Sequence, residues 1–408
     1  MAFPVGWTRK CEIIIPASSV GTGGVTDFTF VLTHDNVPSE MLDADGSYPC
    51  NTDGSDIRVA TSSDGTGLLT VDVITITLDN NPGNSVLLLR CGTTALSATV
   101  DNSVWIFYNY SEALEQTGSG AYSSDWVGYW PIQENTGTTI TDRLGVHDGA
   151  MQNMDAGSDW VSGNGAYPYS LDFRGTASDK EHILVGDYSE YTFSNGSSDT
   201  PFSLLTWVNA DTIDSGALGA SIITKYSNYS PFNGEYMIAF FISSFGGNYG
   251  DELFFQILNN APTSRIQVES ASSVSEDTWY FVCTTYSGSE SESGIHAYLN
   301  GSNISLNTAA HSYSGMSNRA APLIFGSGLT DADNYYSYLQ GQMAAPAIIG
   351  AELSQAWITT EYNQTSNPST FASYGIPENV ATLNRFFIRN TEGMSGGMSD
   401  GMSGGMNG

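Results

Sequence analysis

The chain has 408 residues, 40% hydrophobic and 12% aromatic, so it can bury the cores of two or three ordinary domains and does not have the makeup of a disordered polymer. It carries 12 Lys and Arg against 43 Asp and Glu, a net charge of −31. A field of that sign repels phosphate backbones and anionic lipid, which argues against nucleic-acid binding, and no apolar run reaches membrane-spanning length, so no membrane insertion is expected. The surplus of acid reads first as colloidal solubility in salty water and second as loops that coordinate divalent cations.

In chain order, MAFPVGWTRK opens the sequence without an apolar stretch of signal-peptide length, so a Sec leader is not expected. CEIIIP (11–16), TDFTFVLT (26–33), IRVATSS, LLTVDVITITL, SVLLLRC and SVWIFYNY read as short strands at hairpin-like spacing, which implies a sandwich. In LLTVDVITITL the apolar phase switches near Val73, so a β-bulge or a bend is expected there. Residues 116–125 are Gly- and Ser-rich and read as an exposed junction. Trp126 and Trp130 follow, and either plug the seam between two domains or belong wholly to the second.

The second half carries the clearest hairpin, TWYFVCTTYSGSESESGIHAYLNG (278–301). Its first strand sets Trp279, Phe281 and Cys283 against Tyr280, Val282 and Thr284. Its second sets Ile295, Ala297 and Leu299 against His296, Tyr298 and Asn300. Asn300-Gly301 is a pair suited to a tight turn at positive φ. ELSQAWITTEYN (352–363) reads as a short helix with Ser354 as N-cap.

This hairpin resembles the centre of laminin-G-like, concanavalin-A-like lectin domains. YSLDFRG (169–175), FSLLTWVNA (202–210), LIFG (323–326) and LQGQMAAPAIIGAELSQAWI (339–358) are similar to the rest of that pattern, in order, over about 126–375. GSDIRV (54–59), TALSATVDNSVWIFYNYSEA (94–113) and AYSSDWVGYWPIQE (121–134) resemble a bacterial domain of unknown function that precedes such modules. There Phe107-Tyr108-Asn109-Tyr110 departs from the family's Gly-Asn pair and leaves the turn geometry open. The resemblance implies an all-β fold of two jelly-roll-like β-sandwich domains in tandem. Residues 1–120 form the first, 121–375 the concanavalin-A-like second, and 376–408 a connector and low-complexity tail.

For chemistry, the glucanase arrangement of two Glu and an Asp at E-x-D-x-x-E, which places carboxylates on one strand face, does not occur. Glu181, Asp187 and Glu190 are too widely spaced for one strand face, and Glu290 and Glu292 lie in a soft loop as solvated charges. His34, His147, His182, His296 and His311 sit in no catalytic or metal motif, and His147 reads as a turn residue. No enzymatic activity is expected. Cys11, Cys50, Cys91 and Cys283 have no zinc spacing. Cys283 reads as a free buried thiol, and pairing of Cys11 with Cys91 is left open.

Structural calcium is the cofactor that the resemblance implies, with Asp331 and Asp333 of DADN as candidate ligands. Ala344 stands where the family often has an Asp, and DADG (43–46) is half of an EF-hand-like string. The alternative for these Asp residues is turn formation. Glycan binding needs aromatic platforms beside amides and carboxylates. Tyr229 and Asn233 in KYSNYSPFNGEY, and Tyr335 and Tyr336 in DADNYYSY, are the candidates. Phe386 and Phe387, flanked by Arg385 and Arg389, read either as a docking peptide or as a final strand. Met394, Met398, Met402 and Met406 recur every fourth residue in a Gly-rich tail, which is either disordered or orders against a partner or a second copy.

These features together read as a non-enzymatic surface protein. Adhesion-type modules without a leader suit a bacteriophage virion protein: a tail fibre, head fibre or capsid decoration that binds host-surface glycans or assembles with other virion proteins. The alternatives are a bacterial cell-surface adhesion protein and, third, a polysaccharide-active enzyme.

Overall fold

The computed structural model describes residues 3–114, 116, 118–174, 179–213, 219–227, 233–242, 251–259, 264–311, 313–331 and 334–380, with the side chains of 227, 233, 241, 242, 309–311, 329–331 and 334–336 left aside. Its strands form four sheets, antiparallel except where Ser227 pairs with Leu329, and the fold is all-β. In the first half, Arg9–Ile15, Asn102–Tyr108, Arg58–Ala60 and Leu68–Leu69 lie side by side in that order. A second sheet of three strands, Val25–Thr33, Val86–Leu96 and Val71–Thr77, has Val86–Leu96 at its centre. The expected bulge is present, as a register shift between Val73 and Thr75. Asn109 takes φ +64°, so it supplies the left-handed turn that a Gly would otherwise fill.

The second half is a sandwich of an eight-stranded and an eleven-stranded sheet. At the centre of the smaller sheet, Phe202–Thr212 lies between Gln340–Ile349 and Thr278–Tyr286. Thr278–Tyr286 and Ile295–Leu299 form the expected hairpin, and Asn300 (φ +49°) and Gly301 (φ +75°) make the positive-φ turn that joins Ile295–Leu299 to the short strand Ser302–Asn303. The two sheets bury one core between them, including Phe202, Leu204, Val208, Ile238, Phe255, Ile257, Val282 and Phe325. Alternation puts these on the inner faces, and each fully buried Phe, Leu, Ile or Val contributes roughly 1.5–3 kcal/mol.

The two halves are joined by packed structure. The helix Gln355–Ser366 follows the last long strand of the second sandwich, capped by Ser354, whose side chain accepts from the Trp357 N–H at 3.2 Å. Its Trp357 and Ile358 join a core cluster that also contains Phe28, Phe30 and Leu89 of the first half. Its polar face is buried as well. Val31 N–H donates to Gln364 at 2.8 Å, Gly21 N–H to Thr360 at 2.9 Å, and Asn363 to Ser19 O at 2.9 Å. Arg90 reaches Glu361 with Nη2–Oε1 at 2.6 Å and Nη1–Oε2 at 3.1 Å, both side chains sealed from solvent.

The junction over 116–125 is only in part the exposed linker expected from its glycines: Ser119, Gly120, Ser124 and Asp125 are exposed, but its middle is anchored. Ala121 and Tyr122 are buried, Val71 N–H donates to Gln116, and Tyr122 OH donates to Asp72 at 2.6 Å. The small residues permit close approach, and the Tyr anchors them. The tryptophans divide between the two readings. Trp126 packs on Trp357 and Tyr122 at the seam, whereas Trp130 packs on Tyr191 and Phe325 inside the second sandwich. After Phe371 the chain returns to the first half, where Ser373–Tyr374 and Glu378–Asn379 both pair with Arg9–Ile15. All four cysteines are free and buried, and burial raises the Cys11 thiol to about 11.

Candidate ligand-binding surface

The eleven-stranded sheet has two faces. The inner one closes the sandwich core. On the other, the same strands place a different set of side chains, because period two alternates them. Asp251–Leu258 sends Leu253, Phe255 and Ile257 inward, and Glu252, Phe254, Gln256 and Leu258 outward. Arg265–Ser273 places Gln267 and Glu269 on the outer face, opposite Gln256 and Phe254 in register. Asn233–Ile242 adds Met237 and Ala239, and Ala220–Ser227 adds Thr224 and Tyr226.

The outer face therefore mixes aromatic, amide and carboxylate groups. Tyr226, Met237, Ala239, Phe254 and Leu258 form a cluster separate from the main cores. Gln267 Nε2 donates to Glu269 Oε1 at 3.1 Å, and Gln256 Nε2 approaches Met237 Sδ at 3.6 Å. These side chains are at least nine-tenths buried, so a ligand would engage the rim of the array.

At one end the rim is a corner of short strands. Asn233 pairs with Ser227, Ser227 with Leu329, and Leu329 with Tyr335. Tyr336 pairs with Gly328, and Asp331 with Asn334. With strands about 4.8 Å apart, three steps separate Asn233 from Tyr335 by roughly 14 Å. The corner rests on a buried ion pair. Lys225 Nζ lies 2.7 Å from Glu235 Oε1 and 3.0 Å from Asp187 Oδ1, and also donates to Ala321 O at 3.0 Å. Burial pushes the Glu235 carboxyl up, and Lys225 opposes that rise.

Of the residues singled out in the sequence, Asn233, Tyr335, Tyr336 and Asp331 thus fall on neighbouring strands of one corner, with their side chains outside the description. Tyr229, Asp333, Phe386, Phe387, Met394, Met398, Met402 and Met406 lie outside the described residues. Among the described residues no group of three or more His, Cys, Asp or Glu side chains comes together to hold a metal ion. In DADG, Asp43 caps a turn by accepting from Asp45 N–H at 3.2 Å. Glu181 pairs with Arg174, Asp187 with Lys225, and Glu190 with His147, whose ring stacks on Tyr188. Glu290 is exposed but also accepts from the Asp199 N–H at 3.4 Å. Sequence reasoning missed Tyr226, Gln256, Gln267 and Glu269. Their period-two spacing was present, yet a strand with polar outward residues looks like any solvated strand.

The second sandwich is a concanavalin A-like domain, and residues 185–359 match the laminin-G-type family described as the concanavalin A-like lectin/glucanases superfamily. Among solved structures, the chain is similar to the botulinum neurotoxin DC binding domain in complex with rat synaptotagmin II, at 16% identity and TM-score 0.42, covering 59% of this chain and 52% of that one. It is similar to the binding domain of Paraclostridial Mosquitocidal Protein 1, at 14% identity and TM-score 0.41, with the same coverages. It is also similar to Trypanosoma rangeli sialidase in complex with 2,3-difluoro-KDN, at 11% identity and TM-score 0.40, covering 68% of this chain and 43% of that one. At these values the likeness carries nothing about activity or ligand. No match was found among curated proteins.

Proposed function

We propose that this protein is a non-enzymatic, glycan-binding adhesion protein of a virion surface: a tail fibre, head fibre or capsid decoration. The observation that carries the adhesion reading is the corner at the rim of the eleven-stranded sheet, where Asn233, Tyr335 and Tyr336 fall on neighbouring strands. Amides and carboxylates hold sugar hydroxyls, and aromatic rings cover sugar C–H faces. The family match over 185–359 supports the same ligand class. Structural calcium at Asp331 and Asp333 and assembly with virion proteins or a second copy through Phe386, Phe387 and Met394, Met398, Met402 and Met406 belong to the same proposal.

A glycan array is the test. Binding is expected to at least one host-surface glycan, reduced about tenfold, the equivalent of roughly 1.4 kcal/mol, by Tyr335→Ala or Tyr336→Ala. An array without hits, hits that ignore both substitutions, or reducing ends released from host polysaccharide would each defeat the reading. Mass spectrometry of purified virions that lack this chain would remove the virion assignment. A melting temperature indifferent to chelation would remove the calcium, and assembly unchanged by deletion of 393–408 would remove the tail's role.

A further inference from the structure

Beneath the sheet corner lies a group of reactive side chains that glycan binding does not use. Of Lys10, Lys180 and Lys225, only Lys225 is buried, and its side chain is sealed from solvent. Its Nζ lies between two carboxylates, 2.7 Å from Glu235 Oε1 and 3.0 Å from Asp187 Oδ1. The carbonyls of Ala321, at 3.0 Å, and Arg319, at 3.4 Å, complete its shell. The topology sets up this meeting. Leu323 pairs with Lys225 on one side and with Gly186 on the other, so Asp187 follows a strand two places away from the lysine's own.

The two carboxylates differ. Glu235 is as sealed as the lysine. Its Oε1 also accepts from the Arg319 N–H at 2.9 Å, and its Oε2 is buried without a hydrogen-bond partner among the described residues. Burial pushes this carboxyl up, although Lys225 opposes the rise. A carboxyl of that kind can take up a proton and give it back. Tyr236, fully buried, adjoins both Glu235 and Tyr191. The Asp187 side chain is 40% exposed, so a small leaving molecule has a way out.

An amine, a carboxyl that it touches and a second carboxyl that can carry protons are the parts of an amide condensation. We propose that Lys225 and Asp187 join in an isopeptide bond, Nζ to Cγ, with Glu235 as the proton carrier. The Asp187 carbon lies one bond beyond the oxygen that Lys225 already touches. A small turn of that carboxyl brings it to a reacting separation of about 3–3.5 Å. Nζ passes a proton to Glu235, the free amine attacks Cγ, the N–C bond forms and the bond from Cγ to one oxygen breaks. Of the three ammonium protons, one stays on the amide nitrogen and two travel through Glu235 to that oxygen, which leaves as water. Glu235 ends as it began, and nothing is oxidised or reduced. Condensation is unfavourable between dilute solutes, but held partners act at effective molarities of about 10⁵–10⁸ M. The product is also neutral where the reactants bury a charge. The bond would tie the end of His182–Gly186 to Ala220–Ser227 across Leu323–Phe325 and brace the corner from below. Its formation is independent of any glycan.

The test uses the full chain, folded, then unfolded in urea and digested with trypsin. An unlinked chain is cut after Lys225 and yields peptides 181–225 and 226–265. The linked chain should resist that cut and yield one 181–265 peptide, lighter than its sequence by one water, with no fragment ions from breaks between 187 and 225. Asp187→Asn, at an exposed position, should condense with loss of ammonia instead of water, and so reach the same peptide mass as the native chain. Lys225→Arg and Glu235→Gln should both leave the chain unlinked at full mass. A native chain cut after Lys225 at full mass overturns the proposal. So does a link that maps to Glu235, or a water loss that survives Lys225→Arg, which marks a cyclised Asp elsewhere. A link that forms undiminished in Glu235→Gln overturns the role given to that residue. The native and Asp187→Asn masses decide the matter even where the two buried variants fail to fold.

Discussion

His182 shows how a single side chain can tie stability to acidity. It starts the strand His182–Gly186 and is 1% exposed. Its Nδ1 lies 2.8 Å from the Lys180 carbonyl, so that nitrogen carries the proton in the neutral ring. Burial lowers its pKa from the ordinary 6.5 to about 4. The unfolded chain therefore takes up a proton at a higher pH than the folded one. The stabilisation from the neutral ring is complete above pH 6.5 and is lost as pH falls from 6.5 towards 4, in total about 3 kcal/mol. Urea denaturation at pH 7 and pH 4.5 should show this loss in the native chain. His182→Gln should remove most of the difference, and an unchanged pH slope in that variant would contradict the assignment. Nothing in the sequence around His182 announced it: a lone His at the head of a strand gives no sign of being buried.

At the scale of elements, the helix Gln355–Ser366 holds the molecule together. Its existence, its cap at Ser354 and its inward Trp357 were legible from 3.6-residue spacing and a capping residue. Its other face was not. Thr360 shares helical spacing with Ala356 and Trp357, but Glu361 and Gln364 look like solvated helix positions, and become core only because the sheet of the first half is laid over them. The same holds for Arg90, which sits in the apolar run VLLLRC and finds its partner 271 residues away in sequence. No local pattern encodes a pair of that separation. Arg90→Met should cost about 3–5 kcal/mol, because it leaves Glu361 buried without its cation. The double variant Arg90→Met with Glu361→Met should regain most of that loss, as seen in the urea midpoint. A double variant no better than the single one would show that the cost lies in packing and not in the orphaned charge. Close approach matters here too, since a Cβ on Gly21 would clash with the Ala356 carbonyl oxygen.

For the whole molecule, alternation revealed the β-layers, and turn residues such as Asn300-Gly301 revealed how they are joined. What alternation cannot reveal is which sheet lies on which, since that is settled by contacts between distant elements. The cluster that combines Phe28, Leu89, Trp126, Trp207 and Trp357 draws on both halves. Heat denaturation should therefore give one calorimetric transition whose van't Hoff and calorimetric enthalpies agree. Residues 1–120 expressed alone should lack dispersed amide resonances, because the strands 373–374 and 378–379 and the helix are then missing. Two separate transitions, or a folded 1–120 fragment, would refute this coupling.

The pairing of Arg9 with Asn379, and the bond from the Val380 N–H to the Thr8 carbonyl, bring the two ends of the described fold to the same edge of one sheet. Tension applied between those ends would open this antiparallel pair one hydrogen bond at a time, like a zip. The load would fall first on this pair at the edge of the six-stranded sheet of the first half. A molecule pulled from this edge would yield first at the short strands 373–374 and 378–379, before the long central strands of the second half.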